Sequence, residues 1–292
     1  MEEYIEKYLQ FVKGKHLTKN TIEAYARDLE KFSNFLQNRE EEFQQVDEIT
    51  IMSYVQNLIK GNIANSSINR NLVTLRNFYK YLMQNQFVKE SPVINYELPK
   101  IKRNLPEVLT IEEVEILLDM PDTDTYKGLR DRAMLELMYA TGIKVTELLN
   151  LRIFDINLDM EYMICKGTKE KERIIPLGSV AIKYIEEYLS LRKSMKDSES
   201  LLLFLNSRGK RMSRQGFWKI AKAYAKDAGI NKDINLYTFR HSFAVHLLQN
   251  GADIKSVQEL LGHVDIAATE IYYSITKKNK LIEVYKNSHP RA

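Results

Sequence analysis

The amino-acid sequence predicts a mainly α protein with a small β-meander, an α+β class, built as two domains. Apolar residues recur at helical spacing through the first 90 of the 292 residues. Residues 91–107 combine prolines with a basic run, a composition typical of an extended linker. Between residues 153 and 177, two short apolar runs flank a charged turn, which is the pattern of antiparallel strands. We therefore predict a helical domain over residues 1–90, a linker over 91–107 and a second domain over 108–292.

Four helices are expected in the first domain. Thr18 is typical of an N-cap, since its hydroxyl can accept a hydrogen bond from a backbone N–H in the first turn of the second helix. The third helix follows Asp47 and ends near Gly61. The fourth begins at Ser66 or Ser67 and carries cations on one face. These cations either contact DNA phosphates or form an ordinary solvated surface: Arg70, Arg76 and Lys80.

The linker is extended and positively charged. It contains Pro92, Pro99 and Pro106, and each proline fixes its own φ and keeps the preceding residue out of the helical region. The positive charge favours a path beside a phosphate backbone. The candidate phosphate contacts are Lys100, Lys102 and Arg103.

The second domain opens with a helix, since Thr110 followed by Glu113 forms a capping-box pattern. The elements expected after it are a helix at about 128–140 that ends at Gly142, strands at 162–165 and 173–177, and helices from Ala181 onward.

Composition narrows the function classes. Hydrophobic residues make up 44% and charged residues 28% of the chain, as in globular proteins, and no apolar run approaches the roughly 20 residues of a membrane helix. The single cysteine, Cys165, cannot form an internal disulfide and fits a reducing cytoplasm. It is expected to be a small buried strand residue. The net charge of +4 permits DNA binding without demonstrating it.

The region from Arg240 to Tyr272 carries the chemistry. It contains Arg240, His263 and, nine residues later, Tyr272. Arginine suits a phosphate because its planar guanidinium donates two parallel hydrogen bonds. A tyrosine hydroxyl, with a pKa of about 10, can attack a phosphodiester only in an activating environment. The set therefore indicates a phenolic oxygen that attacks DNA while cations hold the phosphate, without a metal or other cofactor.

In this region and in four earlier segments, the chain resembles the tyrosine recombinase (phage integrase) family, and within it the Xer branch. The first helices also resemble the DNA-clamping domain of that family, and the resemblance covers nearly the whole chain. The matching segments are 128–133, 139–149, 166–167, 173–178 and 240–272.

The resemblance implies a role for each matching residue. Tyr272 matches the nucleophile, Arg240 the second family arginine and His263 the histidine ahead of the nucleophile. Lys166 matches the hairpin lysine that the family uses as general acid. Because the turn is longer here than in the usual pattern, two nearby lysines are alternatives: Lys169 and Lys171.

Two positions depart from the family pattern. Lys144 stands where the family has its first arginine, and it keeps the charge but loses the two-pronged geometry. Tyr237 stands where a histidine is expected three residues before Arg240; its hydroxyl can hydrogen-bond a phosphate oxygen but is a poor base at neutral pH. Losing one well-placed donor commonly costs about a hundred- to thousandfold in rate, so reduced activity is expected.

The resemblance also implies a cellular function. Two domains would close as a clamp around duplex DNA, and four protomers on two duplexes would exchange strands through a 3′-phosphotyrosine. The expected process is chromosome dimer resolution in the cytoplasm, with a possible second recombinase and a possible septal DNA translocase. A C-terminal apolar stripe would dock on a neighbouring subunit: Leu281, Ile282, Val284 and Tyr285.

Three alternatives stay open at this point. An integrase of a mobile element would use the same chemistry. A catalytically impaired DNA-binding protein would explain Lys144 and Tyr237. A metal-dependent enzyme is disfavoured, because the sequence lacks clustered carboxylates and because His241 and His246 have no carboxylate partner at ligand spacing.

Overall fold

The computed structural model describes residues 1–15, 17–93, 105–167, 172–193, 201–263 and 265–276. The chain divides into two compact units, Met1–Arg103 and Asn104–Ala292. The mainly α class with one small sheet is confirmed. Within the described ranges, no helix has the length and apolar character needed to cross a membrane.

The described residues of the first unit form four helices around one apolar core. Their bounds are α1 Glu2–Lys13, α2 Lys19–Gln37, α3 Glu48–Lys60 and α4 Asn65–Gln84. The predicted cap of α2 is confirmed, since the Thr18 hydroxyl accepts from Thr21 N at 3.2 Å. α3 begins directly after Asp47 as predicted, and the Asp47 carboxylate caps it by accepting from Thr50 N at 2.8 Å. The core contains large aromatic and aliphatic side chains from all four helices, among them Tyr8, Phe32, Tyr54, Leu72 and Phe78.

The predicted start of α4 at Ser66 or Ser67 is wrong. The helix begins at Asn65, and the carbonyl of Ala64 already accepts from Ser67 N at 2.8 Å. Ala64 is the last residue with an extended ψ, 141°. The backbone conformation therefore sets this end, and no serine side chain caps it.

The second unit combines helices with a three-stranded antiparallel sheet of order β1-β2-β3. Its elements are α5 Ile111–Asp119, α6 Tyr126–Thr141, α7 Val145–Leu148, β1 Ile156–Asn157, β2 Tyr162–Lys166, β3 Glu172–Pro176, α8 Ser179–Arg192, α9 Arg214–Asp227, α10 Leu236–Gln249 and α11 Ile254–Leu261. A further helical segment covers residues 267–276. The capping box at Thr110 and the β-meander are confirmed.

α6 is the central helix of this unit, because nearly all of its residues are buried. Its charged side chains enter the interior as pairs: Arg130 with Asp131 at 2.6 Å, and Arg132 with Glu136 at 2.7 Å. Pairing offsets the cost of removing these charges from water. The helix therefore forms a fixed support, and its C-terminal end leads directly into the candidate site.

Candidate active site

A tight turn after α6 positions Lys144. Gly142 ends α6 in the left-handed conformation with φ of 58°, and a Cβ atom there would lie 2.4 Å from Cδ1 of Phe243. Only glycine satisfies both the backbone angle and the space. Two residues later the chain starts α7 with Lys144 as its N-cap residue. The turn thus holds the Lys144 backbone beside α10.

Arg240, on α10, joins two helix ends. Its guanidinium donates from Nη1 to the carbonyl of Gly142 and from Nη2 to the carbonyl of Leu261, each at 2.6 Å. The residue is only 3% exposed. Because a guanidinium has five N–H groups, these two bonds leave donors for a further acceptor.

Tyr272 lies in the same cluster, on the helical segment 267–276. Its hydroxyl oxygen is 2.9 Å from Nδ1 of His241, and its ring stacks on His263 at a centroid distance of 6.4 Å and an interplanar angle of 19°. Burial raises the pKa of Tyr272, and the charge of Arg240 only partly opposes this effect. The phenol is therefore neutral at pH 7. The structure brings together three of the predicted residues: Tyr272, Arg240 and His263.

The two imidazoles of this cluster are neutral at pH 7. Burial and the nearby charge of Arg240 lower the pKa of His241 to about 4. Burial, together with the charges of Arg240, Lys144 and Arg173, lowers the pKa of His263 to about 4 as well. Nδ1 of His263 lies 2.8 Å from the hydroxyl oxygen of Thr269, which fixes the ring against Tyr272.

A buried ion pair supports Lys144. Arg173 on β3 donates to both carboxylate oxygens of Glu147 on α7, at 3.0 and 2.7 Å, and its Nε donates to the carbonyl of Leu260 at 2.9 Å. Glu147 also accepts from the backbone N–H of Lys144 at 3.0 Å, and the Lys144 ammonium lies 3.9 Å from its carboxylate. Burial favours the neutral form of Glu147, but the hydrogen bonds and charge of Arg173 outweigh it and hold the pKa of this carboxyl below its usual value.

The Glu147→Gln variant should therefore lose stability. The side chains of Glu147 and Arg173 are 8% and 14% exposed, so removing the negative charge leaves a poorly solvated guanidinium. The expected loss in free energy of unfolding is about 3–5 kcal/mol, measured by urea denaturation at pH 7. The stabilisation should be fully present above the ordinary glutamate pKa of 4.5 and disappear as the pH falls through the lower folded-state pKa.

The exposed pair of Lys183 and Glu187 on α8 supplies a matched control. Its atoms lie 4.0 Å apart and its side chains are 63% and 44% exposed. Glu187→Gln should leave the urea midpoint nearly unchanged. A similarly small effect of Glu147→Gln would contradict the importance assigned to the buried pair.

Lys166 ends β2 at the rim of a cavity. Its ammonium lies 3.5 Å from the carboxylate of Glu172, and both side chains are about half exposed, at 55% and 54%. Lys166 and Lys144 line a cavity of about 420 Å³. A second cavity of about 720 Å³ is lined by Lys144, Arg173 and His263. Lys144 borders both cavities, and the cations that line them come from three neighbouring parts of the chain.

Tyr237 lies at the N-terminal end of α10 and is 45% exposed. Its ring stacks on His241 at 6.3 Å and 25°, and the guanidinium of Arg214 lies 5.4 Å from its centroid. The predicted hydrogen bond from Tyr237 to a phosphate stays a prediction. What the structure adds is a packing contact with the imidazole beside Tyr272.

The candidate DNA-binding cations of α4 differ in their surroundings. Arg70 donates twice to Asp28, at 3.0 and 2.8 Å, and Asp28 is fully buried. The guanidinium of Arg76 donates to the carbonyl of Val93 at 3.4 Å. Lys80 is exposed. Arg70 and Arg76 thus have structural roles within the first unit, and their contact with DNA stays a prediction.

Several predicted residues lie outside the described residues. They are the linker cations Lys100, Lys102 and Arg103, the alternative lysines Lys169 and Lys171, and the C-terminal apolar residues Leu281, Ile282, Val284 and Tyr285.

Cys165 and His246 have structural environments. Cys165 is 1% exposed, and burial raises the pKa of its thiol to about 12, so it is not a reactive thiolate. His246 has Nδ1 2.9 Å from the hydroxyl oxygen of Tyr139 and donates from Nε2 to the carbonyl of Leu109 at 2.9 Å. In the part of the chain that the structure describes, no three His, Cys, Asp or Glu side chains form a group that could hold a metal.

Sequence reasoning missed three residues of the site: His241, Glu147 and Arg173. Glu147 and Arg173 lie in segments that resemble the family, and their place in those segments was the signal that could have assigned them to the site. His241 follows Arg240 directly in the chain. Its partner Tyr272 lies 31 residues away, a separation that no local pattern reveals.

Comparison with known proteins identifies the family. Residues 107–279 match the family described as "Phage integrase family", and residues 5–86 match "Phage integrase, N-terminal SAM-like domain". Over the full length of both chains, the sequence is 42% identical to tyrosine recombinase XerD of Staphylococcus haemolyticus and 43% identical to tyrosine recombinase XerD of Listeria innocua. The solved structure of the XerH site-specific recombinase bound to difH substrate, a pre-cleavage complex, is similar with a TM-score of 0.72 and 26% identity, covering 86% of this chain and 76% of that one.

The fold and these matches define a site-specific tyrosine recombinase, and the chain belongs to the phage integrase family. Within that family it is of the Xer type, since its full-length relatives are XerD recombinases.

Proposed function

We propose that this protein cuts and rejoins DNA strands through a 3′-phosphotyrosine formed by Tyr272. The observation that carries the proposal is the contact of Tyr272 with His241 and His263 in the cluster that contains Arg240, beside cavities lined by Lys144 and Lys166. Such an arrangement holds a phosphate among positive side chains next to a nucleophilic oxygen.

The residues divide the reaction between them. The guanidinium of Arg240 and the ammonium of Lys144 offset the negative charge that develops on the non-bridging oxygens. His263, neutral and fixed by Thr269, can donate a hydrogen bond from Nε2 to one of those oxygens. Lys166 supplies the proton that the leaving 5′-oxygen needs.

The covalent intermediate conserves the energy of the broken bond. An oxygen lone pair of Tyr272 forms a bond to phosphorus while the bond from phosphorus to the 5′-oxygen breaks. A 5′-hydroxyl from the partner duplex then attacks the phosphotyrosine and releases the phenol, so strand exchange needs no nucleotide cofactor. Because Tyr272 is 4% exposed, DNA binding must first make its hydroxyl oxygen accessible to the phosphate.

The proposed partner is a duplex recombination site. The relatives are named XerD, and the similar XerH structure holds a difH substrate. On this basis we extend the proposal to chromosome dimer resolution by four protomers on two duplexes, with a second recombinase and a septal translocase as further candidate partners. Contacts of Lys80 and the linker lysines with phosphates would make binding strongly dependent on salt.

A second candidate function is DNA binding with impaired catalysis. It is favoured by Lys144, whose ammonium is already 3.9 Å from Glu147 and cannot grip a phosphate with two prongs. In that case the protein would bind DNA in an architectural or regulatory role. An integrase of a mobile element would share the chemistry and differ only in its target.

Covalent trapping on a nicked duplex distinguishes these functions. The DNA site is first selected from a pool of random duplexes by binding to the protein, and a nick next to the cleavage point then lets the short 5′-hydroxyl fragment diffuse away. The wild-type protein should accumulate a protein–DNA adduct at an unchanged rate in EDTA. DNA binding without any adduct would instead favour the impaired binder, and loss of cleavage in EDTA would favour a metal-dependent enzyme.

A further inference from the structure

α10 carries an imidazole that touches the candidate nucleophile. Nδ1 of His241 and the hydroxyl oxygen of Tyr272 are 2.9 Å apart, and the two rings lie 5.5 Å apart at 46°. The other imidazole of the cluster, His263, directs its Nδ1 to Thr269 and meets Tyr272 through stacked ring faces. Of these two histidines, His241 is thus the one within hydrogen-bonding distance of the reacting hydroxyl group.

The protonation states of the two groups allow a hydrogen bond from Tyr272 to His241. Burial raises the pKa of Tyr272, so the phenol keeps its proton and can donate it. The His241 ring is neutral at pH 7, so one of its nitrogens is an unprotonated acceptor. In the tautomer with the proton on Nε2, the bond runs from the phenol O–H to Nδ1, and it leaves the lone pairs of the phenol oxygen free for attack.

Tyr237 holds the His241 ring in place. It stacks on the ring at 6.3 Å and 25°, while the guanidinium of Arg214 covers the Tyr237 ring at 5.4 Å. A phenol at position 237 is itself a poor base. Its contact instead restricts the orientation of the imidazole next to it.

We propose that Nδ1 of His241 accepts the proton of the Tyr272 hydroxyl during strand cleavage, a part that the phenol of Tyr237 cannot play. The inference rests on the proposed function. In the step, a Tyr272 lone pair bonds to phosphorus and the phenol proton moves to Nδ1, giving an imidazolium. The bond to the 5′-oxygen breaks, and that oxygen takes a proton from the Lys166 ammonium, so total charge is conserved.

The incoming phosphate makes His241 a better base. Burial and the positive charge of Arg240 both disfavour a protonated His241. A phosphodiester bound to Arg240 brings a negative charge to the neighbouring residue, which offsets that effect and raises the affinity of Nδ1 for a proton. Basicity thus increases when substrate is present.

The His241→Asn variant tests the proposal. Asparagine keeps a hydrogen-bond acceptor close to the position of Nδ1 but cannot hold a proton, so single-turnover formation of the adduct on the nicked duplex should slow by about a hundredfold. DNA affinity should stay unchanged. His246→Asn is the matched control, because it removes another α10 imidazole whose Nδ1 lies 2.9 Å from a tyrosine hydroxyl, that of Tyr139. It should react at the wild-type rate.

Rescue separates a base from a structural residue. Placing 3,5-difluorotyrosine at position 272 makes the phenol more acidic, so the reaction depends less on a base. The fluorinated His241→Asn protein should recover most of the lost rate, whereas a merely structural defect would persist. Wild-type cleavage by His241→Asn, faster cleavage, or a defect that fluorination leaves unchanged would each overturn the proposal.

The outcomes also separate this inference from the proposed function. If the wild-type and His246→Asn proteins form the adduct and His241→Asn does so equally fast, only the inference fails. If the wild-type protein forms no adduct, both fail. The hydrogen bond has its own readout in the ¹⁵N NMR shift of His241 Nδ1, which should change in the Tyr272→Phe variant; an unchanged shift would overturn the pairing itself.

Discussion

The Tyr272→Phe variant is expected to form no covalent adduct on the nicked duplex and to join no strands. Phenylalanine preserves the ring that stacks on His263 and removes only the hydroxyl that contacts His241. The fold and DNA affinity should therefore persist while the nucleophile is lost. The measurement is denaturing electrophoresis of the protein–DNA adduct, with DNA binding followed in parallel.

Tyr273 provides a matched control for this variant. It is the next residue in the chain and is 53% exposed, compared with 4% for Tyr272. Tyr273→Phe should form the adduct at the wild-type rate. The assignment of the nucleophile would be wrong if Tyr272→Phe still became attached to DNA, or if Tyr273→Phe abolished attachment.

Replacing Lys144 by arginine is expected to accelerate cleavage by about a hundred- to thousandfold. The Lys144 side chain is 36% exposed and lines both cavities, so a longer, forked side chain has room to reach a phosphate. Its guanidinium would supply two parallel donors where the ammonium supplies a point charge. The rate of adduct formation under single-turnover conditions measures the gain.

Two comparisons make the Lys144 experiment specific. Lys183→Arg, on the exposed face of α8, should change nothing. Lys144→Gln should slow cleavage further, since it removes the charge altogether. An unchanged rate in Lys144→Arg would show that the lysine at this position does not limit cleavage, and the expectation of reduced activity would then be wrong.

Local signals predicted most of the fold. The caps at Thr18, Asp47 and Thr110 and the left-handed Gly142 are set by neighbouring residues, so a short stretch of sequence contains the whole cause. The start of α4 could not be predicted in this way, because no side chain caps it.

Side-chain partners across the fold were not predictable from the sequence. Glu147 and Arg173 are 26 residues apart, and Arg70 and Asp28 are 42 residues apart. Periodicity shows which face of a helix is polar, but it does not show which opposite charge will meet that face. The sequence of α4 therefore predicts DNA contact or solvent exposure for its cations, whereas Arg70 binds the buried Asp28.

Arg240 donates hydrogen bonds to the carbonyls of Gly142 and Leu261. Because of these bonds, positions 240 and 144, where the family has its two arginines, differ in their tolerance of substitution. Arg240 connects the ends of α6 and α11 and is also a candidate phosphate ligand. Its replacement would therefore lower both the stability of the fold and the catalytic rate. The Lys144 ammonium makes no comparable structural contacts, so the fold tolerates a substitution at this position. Substitutions at position 144 can therefore lower the catalytic rate in steps while the fold stays intact.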